Sequence, residues 1–312
     1  MSKGLIVLMA CGSFSPPTYM HLRMFEIAKD YINSQGLGTV VGGIVSPVHD
    51  AYGKKDLVAA QHRIAMLKLA LRSSGWIKIS EWETQQSGWT RTRLSLQYHQ
   101  VWPLDTINSQ MNLMDPDPPT WLPDDVLNVN NIDETDNMSG VNGNPEQNVT
   151  VKLLCGADLL ESFATPGLWS DDDIEAIVGQ HGLVVVTRAG SDPGRFIHES
   201  DQLYKHRKNI MLVTNFIANE VSSTVIRRLV RRGESAKYLT DDAVLAYVRD
   251  ILIPDPTINN YKLNITHLTY NPFGLLWKYR HCQQSHTPDP ILHHRLRETS
   301  LSDPDTDISL FD

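Results

Sequence analysis

An apolar run near the start of the chain leads through a glycine turn and two prolines into an amphipathic segment. The run covers residues 5–10, and the turn Cys-Gly-Ser-Phe-Ser-Pro-Pro covers residues 11–17. Proline cannot donate to a strand ladder, so we expect a buried strand to end before the two prolines. Residues 21–32 carry apolar side chains at 3.6-residue spacing, which predicts a helix that begins at about His21.

The predicted turn and helix start form a candidate anion site. The first amides of a helix lack partners and the helix dipole makes this end positive, so a phosphate binds well there. His21 would add a side-chain donor to this site. Strand, glycine turn and helix recur in many α/β proteins, however, and the spacing alone equally allows His21 to cap its own helix.

The acidic residues of the chain concentrate in one segment. The 312 residues carry a formal net charge of −8, and residues 103–150 hold nine acidic side chains and no Lys or Arg, which leaves about +1 for the rest. This segment is rich in Pro and Asn and lacks helical or strand periodicity. It is therefore predicted to be a disordered acidic insertion.

Strands and helices alternate on both sides of the insertion, which predicts an α/β fold with a doubly wound parallel sheet. Neither side holds enough strands by itself. We therefore expect residues 1–253 to fold as a single domain interrupted at about 103–150, followed by a flexible tail over residues 254–312. The predicted strands cover residues 5–10, 39–45, 76–79, 151–155, 183–186 and 209–213.

Composition narrows the class of protein further. No apolar run has the length of a membrane span, and the N-terminus lacks a secretion signal. Three distant cysteines, an odd number, indicate reduced thiols. We expect an intracellular soluble protein of the nucleus or cytoplasm. The sequence is compatible with a homo-oligomer and shows no basic surface for nucleic acid.

Two other patterns are not expected to be sites. Glycines at positions 36, 38 and 42 imitate a dinucleotide fingerprint but precede a strand, so they indicate a helix stop. Histidines and a cysteine in residues 281–294 lack paired Cys-x-x-Cys spacing, so no zinc site is expected.

Two motifs carry a resemblance to a known family. Residues 12–21, GSFSPPTYMH, resemble the G-x-F-x-P-x-T/H-x-x-H signature of the nucleotidylyltransferase superfamily, and residues 221–228, VSSTVIRR, resemble its I-S-S-T-x-I-R signature. Within that superfamily the chain is similar to the eukaryotic nicotinamide mononucleotide adenylyltransferases, which usually have Asn where this chain has Ser15. The resemblance covers about residues 5–98 and 151–250 and implies the Rossmann-like fold of the nucleotidylyltransferases.

The resemblance also implies roles for individual residues. His21 and Arg227 would be catalytic, holding phosphates, and a guanidinium can grip two phosphate oxygens at once. Residues that would bind ATP and its phosphates are Gly12, Ser13, Phe14, Lys54, Lys55, Gly156, Asp158, Asn219, Ser222, Ser223 and Thr224. Residues that would bind the mononucleotide and its pyridine ring are Tyr52, Trp89, Thr92, Leu168, Trp169 and Arg188.

The residues themselves leave some of these roles open. Ser222, Ser223 and Thr224 form an N-cap cluster, which is expected at an ordinary helix start as well as at one that binds phosphate. Asp158 accepts from a ribose hydroxyl or caps the helix that follows it, and spacing does not separate the two. Tryptophans are most often core residues, yet indole faces also attract a pyridinium cation, by roughly 0.5 to 2 kcal/mol.

The implied reaction joins ATP to nicotinamide or nicotinate mononucleotide, giving NAD or its acid precursor and pyrophosphate. Mg²⁺ would be held mainly by the phosphates and not by protein side chains. Two alternatives are retained. One is a chaperone or scaffold role with client proteins, independent of catalysis. The other is another nucleotidylyltransferase or a class I synthetase-like protein that binds ATP, and the synthetase would need an RNA-binding surface.

Overall fold

The computed structural model describes residues 4–107, 120–123, 149–187, 190–217 and 220–252. All of these residues fall in a single unit of the chain. The predicted tail, residues 254–312, lies outside the described residues. None of the described helices is long and apolar enough to cross a membrane.

Six parallel strands form the sheet in this described part, in the order β3-β2-β1-β4-β5-β6. They are β1 Leu5–Gly12, β2 Thr39–Pro47, β3 Ile77–Ile79, β4 Val149–Gly156, β5 Leu183–Val186 and β6 Ile210–Val213. The predicted doubly wound parallel sheet is thereby confirmed. The strand order reverses direction between β1 and β4, and such a switch point opens a ligand crevice at the carboxyl ends of the strands.

Nine α-helices flank the sheet within the described ranges. They are α1 Tyr19–Ser34, α2 Ala60–Ala70, α3 Thr92–Ile107, α4 Ala157–Ser162, α5 Asp171–Ala176, α6 Pro193–Glu199, α7 Asp201–Lys205, α8 Ser223–Arg231 and α9 Asp242–Tyr247. Short π-helical turns extend α5 through His181 and α9 through Leu252.

The central strand is buried on both faces. Val7 and Met9 of β1 enter one apolar cluster, and Ile6 and Leu8 enter the cluster on the opposite side. Side chains alternate along a strand, so a strand covered on both faces is apolar throughout, as residues 5–10 are. Helix α1 covers the second cluster with Met20, Met24, Phe25, Ala28 and Ile32.

Gly36 stops α1, as predicted, whereas Gly42 lies within β2. Gly36 has a φ of 66°, a left-handed conformation that favours glycine. The amide of Gly36 donates to the Asn33 carbonyl and the amide of Leu37 to the Ile32 carbonyl. These bonds satisfy carbonyls at the end of the helix and turn the chain towards β2.

Where the structure describes the segment predicted to be a disordered insertion, it shows secondary structure and packed residues instead. Helix α3 continues to Ile107, β4 begins at Val149, and residues 120–123 pack on the domain. Trp121 and Leu122 are only 5% and 2% exposed. The ring of Pro123 lies against Gly42, where any Cβ would collide with it. A short apolar Trp-Leu-Pro sequence is thus docked on the core, although the acidic residues around it dominate the local composition.

Trp121→Ala should lower the free energy of unfolding by about 3 kcal/mol, because it removes a buried indole from the first apolar cluster. Urea denaturation measures this loss. Trp89→Ala serves as the control, since Trp89 is 47% exposed and its removal should lower stability by less than about 1 kcal/mol. Equal small losses in both variants would contradict the docking of residues 120–123.

Candidate functional site

The two motifs singled out in the sequence meet at one place. Arg227 Nη1 donates to the carbonyl of Ser15 at 2.7 Å, across a separation of 212 residues. Ser223 Oγ donates to the carbonyl of Pro16, also at 2.7 Å, and Ser223 is almost fully buried. The N-terminus of α8 therefore lies directly on the turn between β1 and α1.

His21 caps its own helix, and this contact sets its tautomer. The amide of Thr18 donates to His21 Nδ1 at 2.9 Å, while the amide of His21 donates to Thr18 Oγ1 at 3.3 Å. Because Nδ1 accepts a hydrogen bond, the neutral ring carries its proton on Nε2. The ring of Phe14 contacts His21 edge-on, with centroids 5.2 Å apart. The capping alternative is thus correct, and it leaves Nε2 as a donor of fixed orientation.

The start of α8 is a capped helix N-terminus, as the N-cap cluster predicts. Ser222 is the N-cap, and its Oγ accepts from the amide of Val225 at 3.2 Å. Arg227 Nη2 donates to Thr224 Oγ1 at 3.0 Å. With one nitrogen on Thr224 and the other on Ser15, the guanidinium of Arg227 is held in a single plane beside the turn.

A loop after β2 approaches the same turn. Lys54 Nζ donates to Ser13 Oγ at 3.4 Å, and Lys55 is exposed next to it. Arg63 of α2 holds this loop, a role that was not predicted from the sequence. Its side chain is fully buried and donates to the carbonyls of Ser13 and Val48 at 3.2 and 2.6 Å.

Arg63 also pairs with Asp50 at 2.8 Å. The signal that identifies it is its place in α2, where it lies among the buried residues Ala60, Ile64 and Leu67. A charged side chain at a buried helix position needs several partners, and the nearest loops supply them.

Gly156 ends β4, and Asp158 follows it in the first turn of α4. The N-cap of α4 is Gly156, so Asp158 is not the N-cap residue and lies inside the first turn. Its carboxylate instead lies against Gly156, where any Cβ would collide with Oδ1. Gly156 therefore leaves room for this carboxylate at the carboxyl end of β4, where ligands enter sheets of this kind.

A cavity of about 580 Å³ opens beside the turn. Predicted site residues that line it are Gly12, Ser13, Tyr52, Trp89, Thr92, Leu168 and Trp169. Trp169 is oriented by Phe163, whose ring meets it at 90° with centroids 5.0 Å apart, and its Nε1 donates to Ser162 Oγ. Trp89 lies 6.2 Å from the ring of Tyr52. The cavity therefore joins the glycine turn to both tryptophans.

Other predicted residues lie around the cavity or beyond the described part. His21, Lys54, Asp158 and the residues of α8 are not among its lining residues. Arg188 and Asn219 lie outside the described residues. Within the described ranges, no three His, Cys, Asp or Glu side chains form a cluster that would hold a metal ion.

Glu83 is a second residue that the sequence analysis missed. It lines the cavity, is 2% exposed, and accepts from Ser46 Oγ at 3.3 Å. Burial raises the pKa of Glu83 to about 7, while hydrogen bonds from Ser46 and His49 and the charge of Arg63 oppose this rise. A lone Glu in the sequence gives no sign of such burial.

The raised pKa of Glu83 predicts a loss of stability as the pH rises. The unfolded carboxyl titrates near 4.5 and the folded one near 7, so between these values the unfolded state binds fewer protons. Relative to Glu83→Gln, which does not titrate, the protein should lose up to about 3 kcal/mol between pH 4.5 and pH 8.

Urea denaturation of both proteins at pH 5 and pH 8 measures this difference. Glu81→Gln is the control, because Glu81 is a partly exposed carboxylate paired with Lys68. A difference between Glu83→Gln and the unaltered protein that stays constant with pH would contradict the buried, proton-binding carboxyl.

Comparison with known proteins identifies the family of this chain. A family model described as Cytidylyltransferase-like matches residues 9–229. The chain is 47% identical over 307 residues to a "Nicotinamide-nucleotide adenylyltransferase" of Drosophila melanogaster, an alignment that covers 93% of this chain and 75% of that protein.

Two further relatives are named "Nicotinamide/nicotinic acid mononucleotide adenylyltransferase", the first with the number 1 appended. The first, from Bos taurus, is 46% identical and the match covers 79% of this chain and 87% of that protein. The second, from Arabidopsis thaliana, is 37% identical with 79% and 89% covered.

Proposed function

The chain belongs to the cytidylyltransferase-like family and, within it, to the nicotinamide/nicotinic acid mononucleotide adenylyltransferases, and from this premise we propose its reaction. The enzyme transfers the adenylyl group of ATP to nicotinamide mononucleotide or nicotinate mononucleotide. The products are NAD or its acid precursor, together with pyrophosphate. It is accordingly a nucleotidyltransferase of NAD biosynthesis.

The observation that carries the proposal is the docking of α8 on the turn between β1 and α1. Through the bonds of Arg227 and Ser223 to the carbonyls of Ser15 and Pro16, two helix N-termini approach one turn. Each helix end contributes amides and a positive dipole. Together with Arg227 and Lys54, this arrangement supplies positive charge suited to a triphosphate.

The chemistry needs no general base. The phosphate of the mononucleotide is already an anion at neutral pH, and one of its oxygens attacks the α-phosphorus of ATP. A new P–O bond forms as the bond to the β-phosphate oxygen breaks, and the electron pair leaves with pyrophosphate. Catalysis therefore rests on in-line positioning and on stabilising charge on the departing group.

The phosphate-binding roles follow from the contacts of each side chain. His21 donates through Nε2, because Nδ1 is held by Thr18. Arg227 offers a planar guanidinium fixed by Ser15 and Thr224. Lys54 and Lys55 bring charge from the loop after β2, and Mg²⁺ would be held mainly by the phosphates of ATP and would supply further positive charge there.

The pyridine ring occupies the cavity between the glycine turn and the tryptophans. Trp89 and Trp169 present indole faces that attract the pyridinium charge, and Thr92 and Leu168 line the cavity beside them. Gly12 and Ser13 also line the cavity, so substrate phosphates have access to the turn. Client proteins, a homo-oligomer and a nuclear or cytoplasmic location stay predictions.

A direct assay tests the proposal. Purified protein is incubated with ATP, Mg²⁺ and either mononucleotide, and dinucleotide and pyrophosphate are quantified. The proposal expects both products in equal amounts. Hydrolysis of ATP to ADP without dinucleotide, or no turnover with either mononucleotide, would refute it.

His21→Ala should lower kcat by about 10² or more, because it removes a donor aimed at charge that develops on the phosphates. Steady-state kinetics measures the loss, with circular dichroism to show that the variant is folded. His62→Ala is the matched control, since His62 of α2 bonds to Tyr247 in α9 and belongs to neither of the two motifs. Turnover retained in His21→Ala would remove His21 from the mechanism.

Trp169→Ala should raise the KM for the mononucleotide about tenfold and leave the KM for ATP within about threefold, because only the pyridine ring loses its stacking partner. Initial-rate kinetics with each substrate varied separates the two constants. Trp76→Ala is the control, because Trp76 bonds to Glu26 on the α1 side of the sheet. Parallel rises in both KM values would place Trp169 in a general structural role.

A further inference from the structure

Arg91 lies in the same short segment as Trp89 and Thr92, two residues proposed to bind the pyridine ring. In the sequence Trp89-Thr90-Arg91-Thr92, the first, third and fourth residues line the cavity, together with Leu168 and Trp169. The Arg91 side chain is about half exposed, so it reaches the cavity from its solvent edge. Neither the family resemblance nor the phosphate-binding roles described above use this arginine.

Arg91 is oriented by a buried carboxylate. Its Nη1 lies 3.0 Å from Asp173 Oδ2, and Arg93 Nε lies 3.3 Å from Asp173 Oδ1. Asp173 also lines the cavity and is 4% exposed. Two guanidinium groups thus surround one carboxylate, and this cluster carries a net charge of about +1.

The donors of Arg91 exceed what Asp173 uses. A guanidinium has five N–H groups, and the described contact with Asp173 engages Nη1. Arg93 does not line the cavity, and its charge helps to neutralise Asp173. Arg91 is therefore the arginine of the cluster that lines the cavity, and it has N–H groups beyond the one that this contact with Asp173 engages.

The two candidate substrates differ only in the ring substituent. Nicotinamide mononucleotide carries a neutral carboxamide, and nicotinate mononucleotide carries a carboxylate. The ring nitrogen has the same positive charge in both, so its interactions cancel when the two are compared. What remains is the preference of a guanidinium for a carboxylate, to which it can donate two charge-assisted hydrogen bonds.

We infer that Arg91 is a specificity-determining residue that favours nicotinate mononucleotide over nicotinamide mononucleotide by binding the carboxylate of the acid substrate. The inference rests on the proposed adenylyl transfer, whose ring site it completes. Arg91 binds the substituent and takes no part in breaking or forming the P–O bonds.

Other charged groups of the cavity do not cancel this preference. Asp173 is neutralised by its two arginines. Glu83 is engaged by Ser46 and by the backbone of His49, and its pKa of about 7 leaves it only partly ionised at neutral pH. The thiol of Cys11 and the hydroxyl of Tyr52 have pKa values raised by burial, so both are neutral.

The test compares kcat/KM for the two mononucleotides in the unaltered protein, Arg91→Gln, Arg91→Lys and Arg93→Gln. The measured quantity is the ratio of acid to amide kcat/KM. Arg91→Gln should lower this ratio about tenfold or more, because a charge-assisted pair to the carboxylate is lost. Arg91→Lys keeps the charge without the fork and should give an intermediate ratio.

Arg93→Gln is the matched control, because it also removes one arginine from Asp173 but none from the cavity. Its ratio should stay within about threefold of that of the unaltered protein. A ratio unchanged in both Arg91 variants, or lowered as much by Arg93→Gln, would overturn the role of Arg91 while leaving the proposed reaction intact. If the unaltered protein converts neither mononucleotide, the proposed function fails and this inference fails with it.

Discussion

Four carbonyl groups of one irregular turn determine how this site is assembled. The carbonyls of Ser13, Ser15, Pro16 and Pro17 lie between β1 and α1, where neither a strand ladder nor a helix can pair them. Each is bonded instead by a side chain from a distant segment: Arg63, Arg227, Ser223 and Thr240 in turn. Buried backbone carbonyls must be paired, so the turn folds only when α2 and the segments around α8 are in place.

The bonds that stabilise the turn also position side chains that are proposed to bind phosphate. The same guanidinium that satisfies the carbonyl of Ser15 is held by Thr224 beside the helix ends that attract phosphate. Arg63 likewise donates to the carbonyl of Ser13 in the turn and to the carbonyl of Val48 in the loop that carries Lys54. The proposed phosphate site is therefore held by these bonds before a substrate arrives, which would reduce the reorganisation needed in the proposed adenylyl transfer.

Sequence reasoning predicted the sheet because the strands of the described part are short segments rich in apolar residues, and apolar segments and helical spacing are local properties. It also paired the two motifs through their resemblance to one family. It missed Arg63 and Glu83, because the partners that bury them come from segments elsewhere in the chain. It misjudged residues 120–123 because Trp121 and Leu122 are two apolar residues in an acidic segment, and only the tertiary structure shows the core that receives them.

The central claim is that Arg227, docked on the turn, holds the triphosphate. Calorimetric titration of Mg²⁺-ATP into the unaltered protein, Arg227→Ala and Arg228→Ala measures this most directly, since Arg228 is the exposed neighbour on the same helix. The account predicts that Arg227→Ala weakens the Kd about tenfold or more while Arg228→Ala stays within about threefold. Binding of Mg²⁺-ATP by folded Arg227→Ala with the affinity of the unaltered protein would contradict it.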